Sequence, residues 1–124
     1  MTISEVSKKY GISQDTLRYY ERIGVIPPVN RNRSGLRDYT EDDCGWVELA
    51  ACMRSAGLPL EALTEYVRLS REGDATISDR RQLLLEQKER LQVQLRVVQE
   101  TMERLDYKIS CYDRAMKTGR LVWD

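Results

Sequence analysis

The sequence predicts a mainly α-helical chain, with an N-terminal winged helix-turn-helix, a two-helix connector and one long C-terminal helix suited to a coiled coil. Three observations carry that expectation. Two short apolar-striped segments each end at a glycine, Gly11 and Gly24. A Pro27-Pro28 pair then suspends helical periodicity as far as Tyr39, and from Leu91 onward apolar residues recur in steps of 4-3-4-3-4-3-4.

The first helix opens on Thr2-Ile3-Ser4-Glu5, a capping box in which Thr2 caps the first turn and Glu5 reaches back to a free amide. Ile3, Val6 and Tyr10 follow at helical spacing, and Gly11 stops the helix by accepting a left-handed backbone. Ser13 caps the next helix, Gln14 to about Ile23, with Ile12 before it and Leu17 inside it placed as a hydrophobic staple. Two short helices joined by a tight glycine-containing turn make a helix-turn-helix.

Between Val25 and Tyr39 no helix can form across Pro27-Pro28, and Ser34-Gly35 supplies a turn between two short arms. In Leu36-Arg37-Asp38-Tyr39 a period of two sends Arg37 and Tyr39 to one face and Leu36 to the other. Arg31, Arg33 and Arg37 flank the turn, so the hairpin reads as a cationic wing. Residues 1–40 are therefore expected to form the head.

Residues 41–75 are expected to be the connector. Thr40 caps a third helix whose first turn carries Glu41, Asp42 and Asp43, acidic groups that suit the positive end of the helix dipole. Leu49, Cys52, Met53 and Ala56 read as its apolar stripe, and Gly57 as its end. Pro59 opens a fourth helix with Leu60, Leu63 and Val67 facing inward, and Ser70 to Ala75 is a link. A long helix is expected over 76–117, with a tail at 118–124. Leu84, Leu91, Leu95, Val98, Met102, Leu105, Ile109 and Tyr112 form its seam, continued by Met116. The 3.5-residue period is that of a coiled coil, and a helix of roughly 60 Å exceeds what a small domain can cover. Such a seam needs a partner, most simply a second copy of the chain.

Charge and composition narrow the function. The chain has 20 basic and 20 acidic residues, but residues 1–40 hold seven Lys/Arg against four Asp/Glu and residues 41–79 hold three against nine. A basic head followed by an acidic middle fits local nucleic-acid contact. No apolar run approaches the roughly 18 residues of a membrane span, and the N-terminus does not read as a signal peptide, so a cytoplasmic place is expected. Three cysteines, Cys44, Cys52 and Cys111, without a CxxC do not describe a disulfide scaffold. The sequence contains no histidine, which removes Ser-His-Asp and Cys-His catalysis and His-ligated zinc. Neither an enzyme nor a cofactor is expected.

The run Asp15-Thr16-Leu17-Arg18-Tyr19-Tyr20-Glu21-Arg22-Ile23-Gly24-Val25-Ile26-Pro27-Pro28, followed by Ser34-Gly35-Leu36-Arg37-Asp38-Tyr39, closely resembles the MerR family of transcription regulators. The resemblance runs the length of the chain, although Leu36 stands where that wing motif commonly has an aromatic residue. It implies a dimer whose long helices run antiparallel, binding promoter DNA and distorting it so that RNA polymerase can engage. It also implies that the second helix enters the major groove. Gln14, Thr16, Arg18, Tyr19 and Tyr20 would then lie at the DNA, joined by Arg31, Arg33, Arg37 and Tyr39 from the wing. Tyr20 competes with packing against the core.

Within the family, Ala51-Cys52-Met53-Arg54-Ser55-Ala56-Gly57-Leu58-Pro59 resembles the aldehyde- and thiol-stress-responsive branch (NmlR/AdhR type), whose members carry a cysteine at this place. The resemblance makes Cys52 a sensor of a small electrophile. Read from the helix alone, Cys52 is an inert hydrophobe on an apolar stripe. Cys44 reads as core, and Cys111 as a helix-surface or near-seam residue. Two further readings remain: a metal-responsive regulator, for which the paired-cysteine loop after the long helix is missing, and a coiled-coil adaptor without a sensing role.

Overall fold

The computed structural model describes residues 1–123; the last residue of the expected tail lies outside the described residues. It divides into two compact units, 1–87 and 88–124. The boundary falls inside the long helix, so the first unit takes in the expected head, the connector and the opening turns of that helix.

In the first unit, α1 (Ile3–Tyr10) begins at the expected capping box: Thr2 Oγ1 accepts from Glu5 N at 3.1 Å, and Glu5 Oε1 accepts from Thr2 N at 3.0 Å. Gly11, at φ 67°, closes it in the left-handed region. Ser13 caps α2 (Gln14–Ile23) through its hydroxyl, which accepts from Thr16 N and donates to Thr16 Oγ1 at 2.8 Å. Helix α3 (Glu41–Ser55) starts on a second capping box, formed by Thr40 with Asp43; α4 (Leu60–Glu72) follows Pro59. A 3-10 turn, Asp74–Thr76, leads into α5 (Ile77–Thr118).

The core of this unit gathers Val6 from α1, Leu17 and Tyr20 from α2, and Val25 and Ile26 from the segment after it. Val47, Ala50 and Met53 of α3 and Leu63 and Val67 of α4 complete it. Val6, Leu17 and Val47 are fully buried. The stripe expected on α3 is displaced. The buried face runs through Cys44, Val47, Ala50 and Met53, while Cys52 and Ala56 are exposed. Leu49, half-buried, and the exposed Cys52 and Ala56 form a second row beside the first, and the fold fully covers only the first.

The segment expected to form a hairpin does so with a single antiparallel bridge, Arg31 to Arg37, and no strand among the described residues. Leu36 O accepts from Asn32 N at 2.8 Å, and Asn30 O accepts from Asp38 N at 2.8 Å. The turn is held by Asn32, whose Oδ1 accepts from Ser34 N and Leu36 N, and by Gly35 at φ 78°. Beyond the wing, Tyr39 N donates to Met1 O at 2.8 Å.

The start of α5 is fastened to the end of α4. Thr76 Oγ1 donates to Leu69 O at 2.6 Å, and Arg80 donates from Nε to Thr76 Oγ1 and from Nη2 to Gly73 O. In the second unit, α5 runs on as a helix to Thr118. Leu95, Val98, Met102, Leu105, Ile109 and Tyr112 lie between 52% and 56% exposed, so the seam is uncovered in the single chain. Cys111 is buried, with Arg114 Nη2 donating to its sulfur at 3.3 Å, and the Trp123 ring packs edge-on against Tyr112 and beneath Lys108 Nζ. The helix-surface place expected for Cys111 therefore does not hold, while its position between the seam residues Ile109 and Tyr112 agrees with the near-seam alternative. Among the described residues no helix is long and apolar enough to cross a membrane.

Candidate nucleic-acid interface

Helix α2 presents two faces with different chemistry. Leu17 and Tyr20 point into the core, while Asp15, Arg18, Tyr19 and Arg22 are exposed. The 3.6-residue period places Arg18 and Arg22 one turn apart, with Tyr19 between them. Arg22 lies over the Tyr19 ring at 5.2 Å, a cation–π contact that holds both side chains on the surface. Arg18 donates to Asp15 Oδ1 at 3.0 Å and to Gln14 Oε1 at 3.4 Å. With its side chain 46% exposed, the guanidinium is braced by its own helix yet open outward. The result is a cationic, aromatic strip along about one turn of helix. Arg22 was not among the residues expected there, although its spacing from Arg18 and Tyr19 is the signal that would have found it.

The other expected residues divide. Gln14 and Thr16 sit half-buried at the helix start, where Thr16 is tied to Ser13 and Gln14 to Arg18. Arg31 and Arg33 are exposed on the wing, and Arg31 Nη1 donates to Gly35 O at 3.0 Å. Tyr20, Arg37 and Tyr39 turn inward. Tyr20 is 9% exposed and Tyr39 only 2%, so both rings serve the core of the head. The alternation read from residues 36–39 holds, since Leu36 is 63% exposed, but the Arg37–Tyr39 face is the inner one.

Arg37 meets Glu21 there. Its Nε–H donates to Glu21 Oε1 at 2.7 Å, with the two side chains 18% and 16% exposed. Glu21 Oε2 accepts from Val29 N at 3.0 Å. Burial alone would raise the Glu21 pKa. The hydrogen bonds from Arg37 and Val29, with the charges of Arg37 and Arg31, outweigh it and hold the carboxyl below its ordinary value. Burial pushes the Tyr39 phenol the other way, upward, and its hydroxyl has no hydrogen-bond partner among the described residues.

The cysteine expected to sense lies on α3, exposed, with its carbonyl accepting from Ser55 Oγ and Ala56 N. Two residues on, Arg54 donates from Nη1 to Leu58 O at 2.6 Å, across the end of α3. Cys44 is buried against Met1 Sδ at 3.8 Å, as a core residue.

A capped helix-turn-helix carrying a wing, followed by a long helix with an open apolar seam, defines a helix-turn-helix regulator. The model of the MerR HTH family of regulatory proteins matches residues 1–70, and the chain belongs to that family. It is 52% identical over 91 residues to the HTH-type transcriptional regulator AdhR of Bacillus subtilis (strain 168), a match covering 73% of this chain and 65% of that protein's length. The crystal structure of a MerR family transcriptional regulator from Listeria monocytogenes superposes with a TM-score of 0.91 at 45% identity, covering 96% of this chain and 90% of that one. HiNmlR, described as a MerR family regulator lacking the sensor domain and bound to promoter DNA, superposes at 0.84 with 30% identity, covering 97% and 95%. These relatives are transcription regulators, not enzymes.

Proposed function

We propose that the chain is a transcriptional regulator that binds double-stranded promoter DNA as a homodimer and activates by distorting that DNA. The observation that carries this reading is the exposed Arg18–Tyr19–Arg22 strip of α2, in a chain whose fold is that of a regulator seen on promoter DNA. A major groove about 12 Å wide admits a helix, so Arg18 reaches base edges or phosphates while Tyr19 lies by the backbone. Arg31 and Arg33 on the wing take phosphates, which position the protein without reading sequence. The α5 seam of a second copy covers the first, and the pair addresses two half-sites. Bending and untwisting act on RNA polymerase only through the promoter. On this reading the protein works in the cytoplasm.

The finer part of the proposal is that Cys52 responds to aldehydes or other thiol-reactive electrophiles. A thiolate is the attacking form, and attack requires access. The exposure of Cys52 supports that access, and the burial of Cys44 argues against that thiol as the alternative. The adduct would add bulk and polarity on the exposed row of α3, beside the row that packs the core.

Two measurements test the two parts. Arg18→Ala is expected to cost about 1–3 kcal/mol of DNA affinity where the side chain reads a base pair. Wild-type affinity that fails to fall with salt would remove the DNA-binding reading altogether. Cys52→Ser is expected to keep dimer and DNA binding and lose induction by aldehydes in a promoter-reporter assay. Full induction in that variant ends the sensor role of Cys52.

A further inference from the structure

Glu21 stands in the last turn of α2, in a head whose balance of charge is basic. Both of its carboxylate oxygens are engaged, Oε1 by Arg37 Nε at 2.7 Å and Oε2 by Val29 N at 3.0 Å. Val29 is where the chain enters the wing after Pro27-Pro28, and Arg37 is on the arm by which it returns. One side chain of α2 therefore ties both arms of the wing to the helix.

The wing cannot fix itself. Its arms share one bridge, and a lone two-stranded hairpin is marginal in water. Asn32 and Gly35 order the tip, but they bond only within the wing and do not orient it on α2.

We propose that Glu21 is a positioning residue for DNA binding: it sets the distance and angle between the wing and α2, so that both engage one duplex together, without touching the DNA. The inference rests on the reading of α2 and the wing as DNA-binding elements. It assigns Arg37 a different task from the phosphate contact expected of a wing arginine. The Arg37 Nε–H is committed to Glu21, and the residue acts through that tie. With the tie cut, the wing must be ordered at the moment of binding, and that cost is subtracted from affinity.

The direction of the effect separates this role from a bland one. An acid near phosphates repels them, so neutralising a carboxylate with no positioning role should leave binding unchanged or tighten it. Positioning demands weaker binding. The probe is a duplex selected from a random pool by the wild-type protein, with affinity read by fluorescence anisotropy across a salt series. Glu21→Gln is expected to bind roughly tenfold more weakly, in the range typical of coupled charged neighbours, and the Glu21→Gln/Arg37→Ala double variant no more weakly than the weaker single. Amide exchange at Asn32, Gly35 and Asp38 should quicken in Glu21→Gln, and circular dichroism establishes that the variant is folded during the assay. A purely structural role would lower the melting temperature and leave the affinity of the folded protein unmoved. Glu21→Asp keeps the charge but shortens the reach, and it should weaken binding too; it carries the test if Glu21→Gln does not fold. Equal or tighter binding by a folded Glu21→Gln overturns the inference and leaves the DNA-binding reading standing. A wild-type protein that selects no duplex ends both.

Discussion

Glu21 gives the head an acid edge whose sign can be worked out. Its folded pKa lies below the ordinary 4.5, so the unfolded chain takes up this proton first as pH falls. The stabilisation it supplies is complete above the ordinary carboxylate range and disappears as acidification passes through the lowered value. The melting temperature of Glu21→Gln should therefore trail the wild type at pH 7, and the gap should close on titration toward pH 3. Glu5 and Glu65 are lowered as well, but both stand in each protein and cancel from the difference. A gap that stays constant with pH would mean that the carboxylate does not hold this tie. At this scale much was illegible in the sequence. An acid in a basic segment reads as a solvated charge, because its partner, Arg37, is sixteen residues away and only the folded chain joins them. Tyr20 and Tyr39 likewise look suited to a DNA surface until burial takes them inward. Arg18 and Tyr19 were legible, since Leu17 and the caps at either end fix which side of α2 faces out.

Elements were easier to read than their faces. The caps at Thr2, Ser13 and Thr40 and the stops at Gly11 and Gly24 act within a few residues of the chain, so local chemistry determines them. The burial phase of α3 is set by what packs on it. With Cys44, Val47, Ala50 and Met53 in one row and Leu49, Cys52 and Ala56 in the next, spacing alone does not choose, and the choice decides whether the Cys52 thiol is accessible. The α5 seam poses no such ambiguity, because one row dominates. Introducing Leu95→Asp and Leu105→Asp together puts two charges in positions that are each more than half exposed in the single chain, so the folded monomer should tolerate them. A dimer built on that row should not, since burying a charge without a partner is costly. Analytical ultracentrifugation is expected to show a helical monomer, and a persistent dimer would place the interface elsewhere.

For the molecule as a whole, the wing is the part of the head with the least structure of its own: one bridge, a glycine turn and two exposed arginines, Arg31 and Arg33, on the arm leading to the tip. Backbone of that kind fits a protease cleft, whereas a bond inside a helix must first unwind to be cut. Trypsin should therefore nick the free chain early, after Arg33. A duplex seated across the wing should shield that bond while leaving the exposed bond after Arg120 in the tail to be cut at its usual rate, an internal clock in the same digest. Cleavage at Arg33 that proceeds equally with and without DNA would mean that the wing lies outside the contact. Occupancy of the head thus becomes readable from a ratio of two peptides, with no label on protein or DNA.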